Sequence, residues 1–170
     1  MNKQNFLRSE FWILSWNASV QRALKYRKKN EVERAAFREY IISYCNNRIL
    51  PKYEKDQSES DHINNIVELY EHASSYPDQE LLLKPYNLGV SQKLLNLQLK
   101  YLWCVGAVET PPHCPVDRII LNHTKLKNKM NWTQITTIAD YMKAIDAIKE
   151  VAGDKEIALW ELESYDRTKG

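Results

Sequence analysis

At 170 residues the chain is long enough to bury a core without staples and short enough for one domain, so residues 1–170 are read as a single unit. A hydrophobic share of 44% beside 27% charged residues excludes a disordered or fibrous chain, and a formal net charge of +2 excludes a polycation that grips nucleic acid by bulk charge alone. Three cysteines (Cys45, Cys104, Cys114) have no framework spacing and no apolar run nears the ~18 residues of a membrane span, which predicts a reduced, cytoplasmic protein with no membrane partner.

Few glycines and many Leu, Ile, Lys and Glu favour helices. Residues 5–26 carry Phe6, Leu7, Phe11, Trp12, Leu14, Trp16, Val20 and Leu24, with Asn17 or Ser19 as a cap between two helices. Residues 31–50 form an amphipathic helix through Val32, Ala35, Ala36, Tyr40, Ile41, Tyr44 and Ile49, and Pro51 ends it. A polar loop over 52–60 leads to a helix over 61–75, capped by Ser60 or Asp61, with Ile63, Ile66, Val67, Tyr70 and Ala73 on one face. Leu81–Leu83 form a short helix before Pro85.

The central element is the strongly apolar helix over 91–104, opened by a tight glycine turn at Gly89 and closed by Gly106. Pro111, Pro112 and Pro115 force an extended connector, and Pro115 starts the next helix with Asp117 in its first turn. Thr133 caps a helix over 134–151, Gly153 stops it, and a last helix follows over 154–166. No segment alternates as a strand does, so the class is all-α, a helical bundle packed around 91–104.

The chemistry concentrates at two helix starts. Lys93 lies in the first turn of the central helix, where the positive end of the helix dipole disfavours a charged amine. Burial would lower its proton affinity further, and a neutral amine is what a Schiff-base nucleophile needs. The same periodicity also allows Lys93, Asn96 and Lys100 to form a solvated face. Asp117 is either a capping residue or a carboxylate that stabilises developing positive charge, and Arg118 beside it can pair with phosphate. Two basic clusters, 25–29 and 125–129, are either solvated surface or a rim that contacts phosphate; Trp132, next to the second, can stack on a base. Cys104, His113, Cys114 and His123 match no tight zinc spacing, so neither metal nor cofactor is expected.

The run Gly89-Val90-Ser91-Gln92-Lys93, followed by His113-Cys114-Pro115-Val116-Asp117, resembles the helix-hairpin-helix DNA glycosylase superfamily over residues 88–122. That family's hairpin commonly reads Gly-Val-Gly-x-Lys and is followed by a Val-Pro-Val-Asp type segment. The archaeal 8-oxoguanine glycosylase branch, with its Gln-Lys pair, is the nearest in pattern, and Ser91 stands here for the second hairpin glycine. The resemblance implies a helix-hairpin-helix element and a glycosylase/lyase acting on an oxidised purine in double-stranded DNA. It implies Lys93 and Asp117 as catalytic residues. It also implies that the Gly89–Ser91 amides and the 125–129 lysines hold the DNA backbone, so the expected nucleic-acid-binding residues are Gly89, Ser91, Gln92, Arg118, Lys125, Lys127, Lys129 and Trp132. The rival expectations are a helix-hairpin-helix DNA-binding module without chemistry and a helical protein-interaction domain.

Overall fold

The computed structural model describes residues 2–27 and 30–166, Gln79 by its backbone only. Among these residues the protein is all-α, with no strand beyond one isolated antiparallel bridge between Tyr26 and Leu82. Helix α1 (Lys3–Trp16) starts at Asn2, whose side chain accepts the Asn5 N–H at 2.8 Å. It does not stop at Asn17 or Ser19. The chain stays helical through a π-helical turn (Asn17–Gln21) into α2 (Arg22–Leu24), because the Ser19 hydroxyl bonds back to the Ser15 carbonyl at 2.5 Å instead of capping a new helix.

Helix α3 (Glu31–Tyr44) likewise runs on, through a π-helical turn (Cys45–Ile49) and a 3₁₀ turn (Leu50–Glu54). Pro51 does not begin a loop: it sits at the start of the 3₁₀ turn, where a missing N–H costs nothing. Helix α4 (Glu59–Ser74) is capped by Ser58, two or three residues earlier than expected, through the Asp61 N–H at 3.1 Å. Its buried face is His62, Asn65, Ile66, Leu69 and Ala73, so two polar residues point inward. Tyr53 explains this, since its hydroxyl meets His62 Nδ1 at 2.7 Å and accepts from Asn65 Nδ2 at 3.2 Å. Leu81–Leu83 are not a helix: a 3₁₀ turn ends at Leu81, and Leu83 donates its N–H to the Lys25 carbonyl.

Helix α5 (Leu88–Cys104) lies against α1, α4 and α7 (Ile138–Ala152), and every residue from Leu88 to Leu99 is buried. Such all-round burial marks a core helix. Gly106 follows it in the left-handed region, as the capping pattern predicts. The short α6 (Arg118–Leu121) begins at Asp117. Helix α7 starts from Thr137, not Thr133, because Trp132–Gln134 form a separate 3₁₀ turn; α8 (Ile157–Ser164) completes the chain. No helix of the described residues is long and apolar enough to cross a membrane.

Burial pushes His62 down to about 3, with the neighbouring His113 ring adding to the effect, so the folded protein keeps His62 neutral. The unfolded chain takes up that proton from pH 6.5 downward, so folding stability should fall as pH drops from about 6.5 towards 3. One such group contributes about 1.4 kcal/mol per pH unit well below its unfolded value. His113, lowered mainly by burial, acts in the same direction. Urea unfolding at pH 7, 6 and 5 should show this slope, and His62→Gln should flatten it; an unchanged slope in that variant removes His62 as its source.

Candidate active site

The site is built on the first two turns of α5; because the helix begins at Leu88 and not near 91, Lys93 stands in its second turn, where the helix dipole counts for less than expected. Asn87 caps this helix, its side chain accepting the Val90 N–H at 3.1 Å and donating to the Thr133 carbonyl at 2.9 Å. Gly89 is therefore helical and does not form the turn that opens the helix. Its need for glycine is one of space. A Cβ here would sit 2.0 Å from the Trp132 carbonyl oxygen and 3.2 Å from the Ile135 Cβ. The Gly89 N–H donates to the Ile135 carbonyl at 2.9 Å. The segment 132–135 thus crosses directly over the start of α5 and brings Trp132 to Lys93.

On the other side, the extended run ending in Asp117 returns to the start of α5. Asp117 caps α6, its Oδ1 accepting the Ile120 N–H at 3.0 Å. Its Oδ2 lies 3.4 Å from Lys93 Nζ, and both side chains are nearly enclosed, 4% exposed for Lys93 and 11% for Asp117. The lysine amine also lies over the Trp132 ring, 4.1 Å from its centroid. Burial is the largest influence on Lys93 and lowers its proton affinity; Arg22 lowers it further, while Asp117 pulls it back up. One carboxylate oxygen of Asp117 therefore caps the helix while the other faces the amine.

The pair stands in the wall of a cleft of about 850 Å³. Arg22, Arg118 and Lys129 bring positive charge to the cleft, and Tyr101, Trp132 and Tyr165 bring aromatic surface. The amide side chains of Asn17, Asn122, Asn128 and Asn131 also line it. A concave site with convergent polar groups and one perturbed amine has the features expected where chemistry occurs.

Other expected contact residues lie elsewhere. Gly89, Ser91 and Gln92 are buried and do not line the cleft. The amides a hairpin would offer to phosphate are occupied: Gly89 on Ile135, Val90 and Ser91 on Asn87. Lys125 pairs with Glu150 on the surface, and Lys127 is exposed away from the cleft, so of the 125–129 lysines only Lys129 lines it. Of the first basic cluster, Lys28 and Lys29 lie outside the described residues. The sequence does contain a signal for Tyr101, since Lys93, Leu97 and Tyr101 follow at helical spacing and all line the cleft. Nothing local marks Arg22 or Tyr165, which arrive from distant elements.

Cys114 is buried and its thiol is pushed up by burial, whereas Cys104 is exposed. Both His113 nitrogens have partners, Tyr141 and Glu59 at 2.8 Å each. Among the described residues no group of three or more His, Cys, Asp and Glu is placed to hold a metal ion. Comparison of the chain with protein-family models, with curated proteins and with solved structures finds no match.

Proposed function

We propose that the chain is a DNA-repair glycosylase/lyase that removes an oxidised purine through a Schiff base on Lys93. The observation that carries this reading is the buried pairing of Lys93 with Asp117 at 3.4 Å in the wall of a cationic, aromatic cleft. The resemblance of 88–122 to the glycosylase superfamily supplies the reaction. In it, a damaged nucleotide leaves the duplex and enters the cleft. In its deprotonated form the Lys93 amine attacks the sugar C1′ as the C1′–N bond breaks, and the base leaves with the bond's electrons and gains a proton. Asp117 stabilises the positive charge on the sugar and accepts the amine's proton. The sugar ring then opens: the C1′–O4′ bond breaks, O4′ takes up the proton held by Asp117, and the iminium so formed is the Schiff base, from which loss of a C2′ proton expels the 3′ phosphate and cleaves the strand. Arg22, Arg118 and Lys129 hold backbone phosphates, and the ring of Trp132, Tyr101 or Tyr165 stacks on the base.

The test is borohydride trapping on a duplex carrying one 8-oxoguanine or one abasic site, with the wild type and Lys93→Gln. A covalent adduct in the wild type, absent in Lys93→Gln, is the expected result. A wild type that gives no adduct with either duplex overturns the reading. One observation favours a second reading, a DNA-binding module without chemistry: Asp117 works to keep the Lys93 amine charged. Duplex binding that weakens steeply with salt, without any adduct, would identify that module.

A further inference from the structure

Gln92 is wholly buried near the start of α5, next to Lys93, and its amide is used at both ends. Its Oε1 accepts the Val116 N–H at 3.1 Å, and its Nε2 donates to the Val116 carbonyl at 2.8 Å and to the Gly89 carbonyl at 3.0 Å. A side-chain amide that meets both backbone groups of one residue acts as a strand partner would, fixing that residue in both position and orientation.

Val116 is the residue before Asp117, and its segment has few other holds. Among the described residues no backbone–backbone hydrogen bond ties 110–116, where Pro111, Pro112 and Pro115 have no N–H to give. The middle of the run is anchored by His113, which meets the Tyr141 hydroxyl and Glu59. The end adjoining Asp117 is anchored by Gln92. Asn96 joins the two anchors, donating to the Tyr141 hydroxyl at 3.2 Å and to Gln92 Oε1 at 3.4 Å.

We propose that Gln92 is a positioning residue for the Lys93–Asp117 pair: by clamping both backbone groups of Val116 it sets the distance from the Asp117 carboxylate to the Lys93 amine. Its bearing on catalysis rests on the reading of Lys93 as the reacting amine. The groups that face that amine are Asp117 from the start of α6, Arg22 from α2 and the Trp132 ring. Of these, Asp117 is the one that Gln92 holds through its chain neighbour. Releasing Val116 therefore removes the attraction that favours the protonated amine and leaves burial and Arg22 unopposed.

The experiment follows reductive methylation of Lys93 on the full chain, with formaldehyde and cyanoborohydride, across pH and resolved by peptide mass. No DNA is needed, so it is independent of the trapping assay. Gln92→Met keeps the length and loses the clamp. Its midpoint should move down by about one pH unit, as expected when an opposite charge withdraws from a buried amine. In an Asp117→Asn background, which keeps the helix cap, adding Gln92→Met should move the midpoint no further. A residue with a merely structural role would shift both backgrounds alike. Should Gln92→Met fail to fold, Gln92→Asn, one methylene shorter and still polar, carries the same expectation. An unmoved midpoint in a folded variant, or an equal shift in the Asp117→Asn background, overturns the proposal. A wild type that does not trap on DNA while Gln92→Met still moves the titration sinks the glycosylase reading and supports the clamp. Trapping with an unmoved titration does the reverse.

Discussion

Asp117→Ala is expected to destabilise the folded protein by about 3–5 kcal/mol at pH 7, because it leaves the Lys93 charge buried without its partner. The loss of the α6 cap adds roughly 1 kcal/mol at most, since the helix it starts has only four residues. The penalty has a pH signature. Without Asp117, burial and Arg22 hold Lys93 further below its ordinary 10.5. The unfolded chain then binds a proton that the folded one does not, so stability rises with pH in that window. The deficit of Asp117→Ala against the wild type should therefore shrink from pH 7 to pH 9.5 in urea unfolding. Lys93→Met is the contrasting variant. It removes the buried ammonium, and the Asp117 carboxylate left behind keeps the Ile120 N–H and is the more exposed of the two, so it should cost less than Asp117→Ala, about 1.5 kcal/mol. If Lys93→Met and Asp117→Ala cost the same at every pH, the pair is not what holds this corner of the fold.

Gly89→Ala should cost about 3 kcal/mol, the upper end of what overpacking does. Two effects compete. Alanine is favoured over glycine inside a helix by ~1 kcal/mol. Against this, the new methyl would lie 2.0 Å from the Trp132 carbonyl oxygen, a backbone atom that cannot turn aside. The clash wins, and the 132–135 segment must lift away from α5. That movement breaks the Gly89–Ile135 hydrogen bond and withdraws the Trp132 ring from Lys93. Loss of stability should therefore come with a change in tryptophan fluorescence at low denaturant. A stabilised Gly89→Ala would show that the crossing segment yields freely, and Gly89 would then have no packing role.

The longer helices were legible, because apolar spacing at 3.6 residues is a local property, whereas the short helix expected at Leu81–Leu83 and the break expected at Asn17 or Ser19 are not there. The helix starts were less so. Ser58, Asn87 and Thr137 cap α4, α5 and α7, each a few residues from the position the pattern favoured or where a glycine turn was expected. Several Ser, Thr, Asn and Asp residues compete near each start, and which one takes the extended conformation depends on what the preceding segment packs against. The inward turn of His62 and Asn65 was invisible for a similar reason. Their partner Tyr53 lies on another element, and only its arrival makes a polar face buriable.

For the site, local sequence determined that Lys93 would stand near the start of a core helix and that Asp117 would sit at a helix start behind a proline-rich connector, but α5 begins at Leu88, three residues earlier than expected, and so carries Lys93 in its second turn. Those are statements about caps, dipoles and periodicity, which need only near neighbours. Tertiary structure alone decided that the two meet at 3.4 Å. It also decided that Trp132 covers the amine, that Arg22 and Tyr165 join the cleft, and that the Gly89–Gln92 turn faces the core. The physical reason is that each of these contacts joins segments far apart in the chain. Their approach is set by how the faces of α5 are filled, and the side chains that meet there carry no mark of it in their own surroundings.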